Sequence, residues 1–123
     1  MLFKNNFYTI LDSNKEDGTH TFTIRLNAEH SIFTGHFPGN PVTPGVAQIE
    51  IVKELMTESV GKKVHLKKMG NCKFLAILNP DKDQEVEVVL KITAGEDEEL
   101  KATAMIKNDS MIYLKMNASY FPV

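Results

Sequence analysis

The sequence predicts an α+β fold in which a curled antiparallel sheet of five or six strands wraps around one long central helix. Three observations carry that prediction. Between Gly45 and about Gly61 the apolar residues recur with helical spacing, whereas most other segments alternate apolar and polar with a period of two. The alternating segments are joined by short runs of Asn, Pro, Asp and Gly, and such turns connect antiparallel neighbours.

Taken in order, FKNNFYTIL is aromatic and β-branched enough to pair with HTFTIRLN across a turn at SNKEDG, residues 13–18. In the second strand Phe22, Ile24 and Leu26 point one way, with Thr21, Thr23, Arg25 and Asn27 opposite. In the helix Ile49, Val52, Met56 and Val60 share a face that Ile51 and Leu55 extend, and Glu50, Lys53, Glu54, Thr57 and Glu58 fill the opposite, solvated arc. Thr43 is placed as N-cap, Pro44 in the first turn and Gly61 as the stop. An apolar arc covering half the wheel is wide for a surface helix and calls for a sheet around it. After it, VHLKKMGNCKFLAIL runs to a turn at Asn79-Pro80-Asp81, and EVEVVLKI turns inward Val86, Val88, Leu90 and Ile92. Past Ala94–Asp97, ELKATAMIK buries Leu100, Ala102, Ala104 and Ile106; MIYLKMNASYF follows a turn at Asn108–Ser110. The open edges of such a sheet predict a homodimer.

Residues 1–123 have the length and apolar content, 42%, of a single domain with one core. Lys and Arg number 14 against 16 Asp and Glu, a net charge of −2 that gives no global attraction to nucleic acid or to an anionic membrane. The lone Cys72 excludes an intrachain disulfide framework and a multi-cysteine zinc site. With no apolar run approaching the ~20 residues of a bilayer span, these features predict a cytoplasmic protein.

The stretch GHFPGNPVTPGVAQIE, residues 35–50, sets a histidine and an acid either side of three prolines spaced by three, Pro38, Pro41 and Pro44. Proline fixes φ, so the segment is held in one shape; taken alone it reads as a rigid strand-to-helix connection. Its fixed positions, Gly35, His36, Phe37, Pro38, Gly39, Pro41, Pro44, Gly45, Val46 and Glu50, resemble the signature of the (3R)-hydroxyacyl-acyl-carrier-protein dehydratases. Cys72-Lys73-Phe74 and Pro80 to Asp83 extend the likeness more weakly, while Ile51-Val52-Lys53-Glu54 departs from the small apolar sequence that usually follows the acid.

The resemblance implies a hot-dog fold and dehydration of a 3-hydroxyacyl thioester to the trans-2-enoyl thioester, without metal or organic cofactor. It makes His36 the base and Glu50 the acid partner, supplied by opposite subunits. Neutral imidazole suits removal of an α-proton, and Glu50 must be protonated to assist the departing hydroxyl. Unpaired N–H groups of Gly45 and Val46 at the helix start would bind the thioester oxygen, with Phe37 and Gly39 in the substrate loop. Lys62, Lys63, Lys67 and Lys68 are docking candidates for an acidic acyl carrier protein, although a lysine run is more often a solvated face. A thioesterase using Glu50 to activate water, or a non-catalytic acyl-binding module, remain the alternatives. His20, His30 and His65 lack metal-ligand spacing and read as structural.

Overall fold

The computed structural model describes residues 2–33 and 41–123. The expectations for His36, Phe37 and Gly39 therefore lie outside the described residues. Six strands are formed: β1 (Tyr8–Glu16), β2 (Thr19–Leu26), β3 (Val64–Phe74), β4 (Glu85–Ala94), β5 (Leu100–Lys107) and β6 (Ile112–Pro122). The helix α1 (Gly45–Val60) falls between β2 and β3. All strands join one antiparallel sheet in the order β1-β2-β4-β5-β6-β3, so β1 and β3 are its edges.

The alternation read from the sequence is the alternation that is buried. Phe22, Ile24 and Leu26 on β2, Val86, Val88 and Leu90 on β4, and Ala102, Ala104 and Ile106 on β5 line the inner face. Ile51, Val52, Leu55 and Met56 of α1 pack into them, each fully buried, while Ile49 and Val60 at the margins are partly buried. Removing a side chain such as Leu55 from water contributes about 2 kcal/mol, so four such side chains make this helix-on-sheet contact a large source of cohesion. Gly61 ends the helix as expected, in the left-handed region at φ 78°, with its N–H bonded to the Thr57 carbonyl.

Four expectations need correction. The first hairpin turns only at Asp17-Gly18, φ 50° and 80°, so β1 continues through the polar residues assigned to the turn. An Asp-Gly pair with both φ positive forms the type I′ turn whose twist matches paired strands. Phe3–Phe7 is not strand: the N–H groups of Asn6, Phe7 and Tyr8 fold back onto the Phe3 carbonyl. Pro44, not Thr43, occupies the N-cap, with extended dihedrals and no side-chain cap. Finally, Glu54 is not on a solvated arc but is only 2% exposed, because the Phe3–Tyr8 segment folds over that face of α1 and hydrogen-bonds to its carboxylate.

Candidate active site

The start of α1 leaves donors free. The first bonded amides are those of Ala47 and Gln48, both donating to the Pro44 carbonyl at 3.0 and 3.1 Å. Among the described residues, the N–H groups of Gly45 and Val46 have no acceptor, which is the ordinary condition of a helix N-terminus and the condition an oxyanion needs. Gly45 has a packing role as well: a Cβ there would lie 2.7 Å from Cζ of the Phe74 ring. The glycine lets the end of β3 close over the helix start, so Phe74 is enough to account for its lack of a side chain.

Around this point an apolar groove of about 310 Å³ is lined by Thr43, Gly45, Gln48, Phe74, Ile77 and Leu78. Val46 is 77% exposed, and Phe74, Leu75 and Ile77 are exposed beside it. The groove has a polar floor. Gln48 donates through Nε2 to the Thr43 carbonyl at 3.2 Å, leaving its Oε1 and the Thr43 hydroxyl buried and without partners among the described residues. A buried orphan acceptor costs about 1–3 kcal/mol, so these two atoms are the natural place for a donor brought by a ligand. The sequence marks Thr43 only as a helix cap and does not single out Gln48.

Glu50 lies five residues into the helix, about 7.5 Å along its axis from Gly45. Its side chain is 26% exposed, with Lys53 Nζ at 3.8 Å. Burial pushes its carboxyl upward from the usual range, a side-chain hydrogen bond with Glu54 adds to that, and the Lys53 ammonium opposes both. Tyr120 on β6 presents a fully buried hydroxyl without a partner among the described residues; burial, and after it the charges of Cys72 and Glu50, push its phenol up to about 12. It stays a neutral donor.

Of the expected residues, Gly45, Val46 and Glu50 are gathered within the first two turns of α1. Lys62 and Lys63 are exposed just past its other end, about 24 Å along the helix from Gly45. Lys67 and Lys68 are exposed on β3; Lys67 already sits 3.7 Å from Glu99 and over the Phe121 ring. His20 bonds Ser59 and stacks on Phe22, and His30 accepts from the Ile32 N–H, in line with structural roles. No cluster of three or more His, Cys, Asp or Glu among the described residues could hold a metal, and no described helix is long and apolar enough to cross a membrane.

A helix cradled in a curled six-stranded antiparallel sheet, with free amides at the helix start and an acid beyond them, defines a protein of the hot-dog class. The family model described as "ApeI-like: ApeI dehydratase" matches residues 12–113, and the chain belongs to that family. A 3-hydroxyacyl-[acyl-carrier-protein] dehydratase of Rickettsia canadensis is 34% identical, over 62% of this chain and 68% of that protein. The corresponding enzyme of Rickettsia massiliae is 38% identical over 47% of this chain and 46% of its own, so the match spans about half of that relative's length. Among solved structures, the dehydratase heterocomplex ApeI:P from Xenorhabdus doucetiae superposes with a TM-score of 0.67 at 20% identity, covering 92% of this chain and 96% of that one. A thioesterase of Staphylococcus aureus gives 0.62 at 14% identity, covering 98% and 96%. These two likenesses establish the fold.

Proposed function

We propose that the protein is a dehydratase that converts 3-hydroxyacyl thioesters, carried on acyl carrier protein, to trans-2-enoyl thioesters, and that it works as a homodimer. The observation that carries this reading is the pairing, on one helix, of free amides at Gly45 and Val46 with a half-buried carboxyl at Glu50 pushed toward its protonated form. His36 takes the α-proton, and the charge that develops on the thioester oxygen is met by the two amides and the positive end of the helix. Glu50 then gives its proton to the β-hydroxyl, which leaves as water as the C2–C3 double bond forms. The proton taken by His36 returns to Glu50 before the next turnover, so no external acid, metal or redox partner is consumed.

The acid and base belong to different subunits in this reading, and β3 is the edge through which the sheet continues into a second copy. Exposed Phe74, Leu75 and Ile77 at its end supply the apolar area that such an interface would cover. Lys62, Lys63, Lys67 and Lys68 are the proposed contacts to the acidic carrier.

A panel of 3-hydroxyacyl thioesters, followed by the absorbance of the enoyl product and in parallel by free-thiol release, separates this reading from thioester hydrolysis. Enoyl formation without thiol release, lost in His36→Ala, is expected. Thiol release retained in His36→Ala and lost in Glu50→Ala would instead identify a thioesterase. Reversing the charge of Lys67 and Lys68 should raise KM for carrier-bound substrate and leave a small thioester analogue unaffected; equal effects on both would remove these lysines from docking.

A further inference from the structure

Glu54 is the most deeply buried charged residue among those described, and the mechanism above does not use it. Its Oε1 accepts the Lys4 N–H at 2.9 Å and the Tyr8 hydroxyl at 3.0 Å, and its Oε2 accepts the Phe3 N–H at 2.9 Å. Every one of these partners is a donor, which suits a carboxylate, a group that only accepts. Lys4 further bridges to Glu58, one turn along the helix, so a single short segment is pinned to α1 at two successive acids. Charged groups are almost never buried unless they are paired or fully hydrogen-bonded, and three donors satisfy that requirement here.

The position of Glu54 matters more than its burial. Residues four apart on a helix are neighbours, and the one preceding Glu54 by four is Glu50. Two carboxyls brought together in a partly desolvated place do not both ionise readily; Glu54 is supplied with three donors, and the carboxyl that is pushed up is that of Glu50. The other groups facing the pair are few. Lys53 lies 3.8 Å from Glu50 on the solvent side, Tyr8 faces Glu54 from β1 and Lys4 faces Glu58 from the N-terminal segment. The negative charges of Cys72 on β3 and of Glu50 also act on the Tyr120 hydroxyl of β6. Positive charge reaches Glu50 from Lys53, the more exposed member of that pair, and to a smaller extent from the amino terminus of the chain.

We propose that Glu54 is a positioning residue for the acid: its buried carboxylate, fixed by Phe3, Lys4 and Tyr8, orients the Glu50 carboxyl and keeps a proton on it for delivery to the leaving hydroxyl. This rests on the reading of Glu50 as the acid. It makes the segment Phe3–Tyr8, remote in sequence from the signature, part of what sets the chemistry. Glu54→Gln removes the charge, keeps the size and leaves Glu50 free to ionise. The direction follows from the sign: without the neighbouring charge the carboxyl of Glu50 loses its proton at lower pH, so the alkaline side of the activity profile moves down in pH.

The test is a titration of the Glu50 carboxyl by carbon NMR in the substrate-free protein, in the wild type, in Glu54→Gln and in Lys4→Met. In the wild type Glu50 should titrate above the ordinary carboxyl range; in Glu54→Gln its midpoint should fall. Lys4→Met weakens the same clamp while keeping the Glu54 charge, so it should lower Tm and leave that midpoint in place. kcat/KM on the alkaline side should drop by about tenfold in Glu54→Gln, with KM nearly unchanged, the loss expected when an acid's protonation is disturbed. An ordinary wild-type midpoint for Glu50 would overturn the proposal even if Glu54→Gln failed to fold, as would equal shifts in both variants. Because the titration needs no turnover, a raised midpoint in a protein without dehydratase activity would sink the functional reading and leave the coupling of the two carboxyls standing.

Discussion

At the scale of single residues, a raised carboxyl at Glu50 weakens the folded chain at neutral pH, a cost that fits the acid role proposed for it. Its carboxyl is raised in the native state, mainly by burial, so the folded protein binds a proton more tightly than the unfolded one. Stability from this group is therefore fully present below the unfolded pKa and is lost as pH rises through the folded one. Activity should fall across the same alkaline window, since the acid must carry its proton. Glu50→Gln is expected to abolish dehydration and raise stability at neutral pH by about 1 kcal/mol, the usual scale for removing a desolvated functional group. Chemical denaturation at two pH values checks both the sign and its disappearance in acid. Tyr8→Phe should act oppositely, costing about 1.5–3 kcal/mol by removing a donor from the buried carboxylate of Glu54. Tyr120→Phe deletes a hydroxyl that has no partner, so it should leave stability unchanged or slightly raised. A large loss there would mean that the hydroxyl is satisfied in solution by a water or a ligand.

At the scale of elements, the period of the apolar residues was sufficient for most of the fold. The inward faces of β2, β4 and β5 follow from spacing, because one side of each element is sealed against the other, and the bounds of α1 follow from spacing together with the Pro44 and Gly61 signals. The failures have a common origin in tertiary contacts that no local pattern reveals. Glu54 reads as a surface acid because its neighbours on the wheel are polar; what buries it is a segment about fifty residues away. Gln48 and Thr43 likewise gain meaning only when Phe74 and Leu78 arrive to close the groove above them. In the same way, the role of Gly45 belongs to the contact between α1 and β3. Gly45→Ala would press a methyl into the Phe74 ring, and because that ring is half-exposed it should turn aside at modest cost in stability, about 1 kcal/mol. Activity should suffer more, since the ring borders the amides proposed to receive the oxyanion. In the centre of the helix Leu55→Ala should cost about 2–5 kcal/mol by leaving a cavity against the sheet, with the alkaline profile of any remaining activity unchanged.

At the scale of the whole molecule, the signature stretch is legible as chemistry only through family likeness, because a histidine, three prolines and an acid do not by themselves state which groups meet. The described structure brings Gly45, Val46 and Glu50 together on α1, and the proposed account adds His36 from a second copy across the β3 edge. A dimer in solution is thus a requirement of the mechanism and not an incidental property. Light scattering should give twice the 13.8 kDa of the chain, or a higher even multiple. The most direct measurement mixes two variants, His36→Ala and Glu50→Gln, each inactive by itself. After denaturation and joint refolding, half of the dimers are mixed and each mixed dimer holds one site with both intact groups, so enoyl formation should recover to about a quarter of the wild-type rate. A mixture that stays inactive, although native mass spectrometry shows mixed dimers, would contradict a dehydration site shared between two subunits.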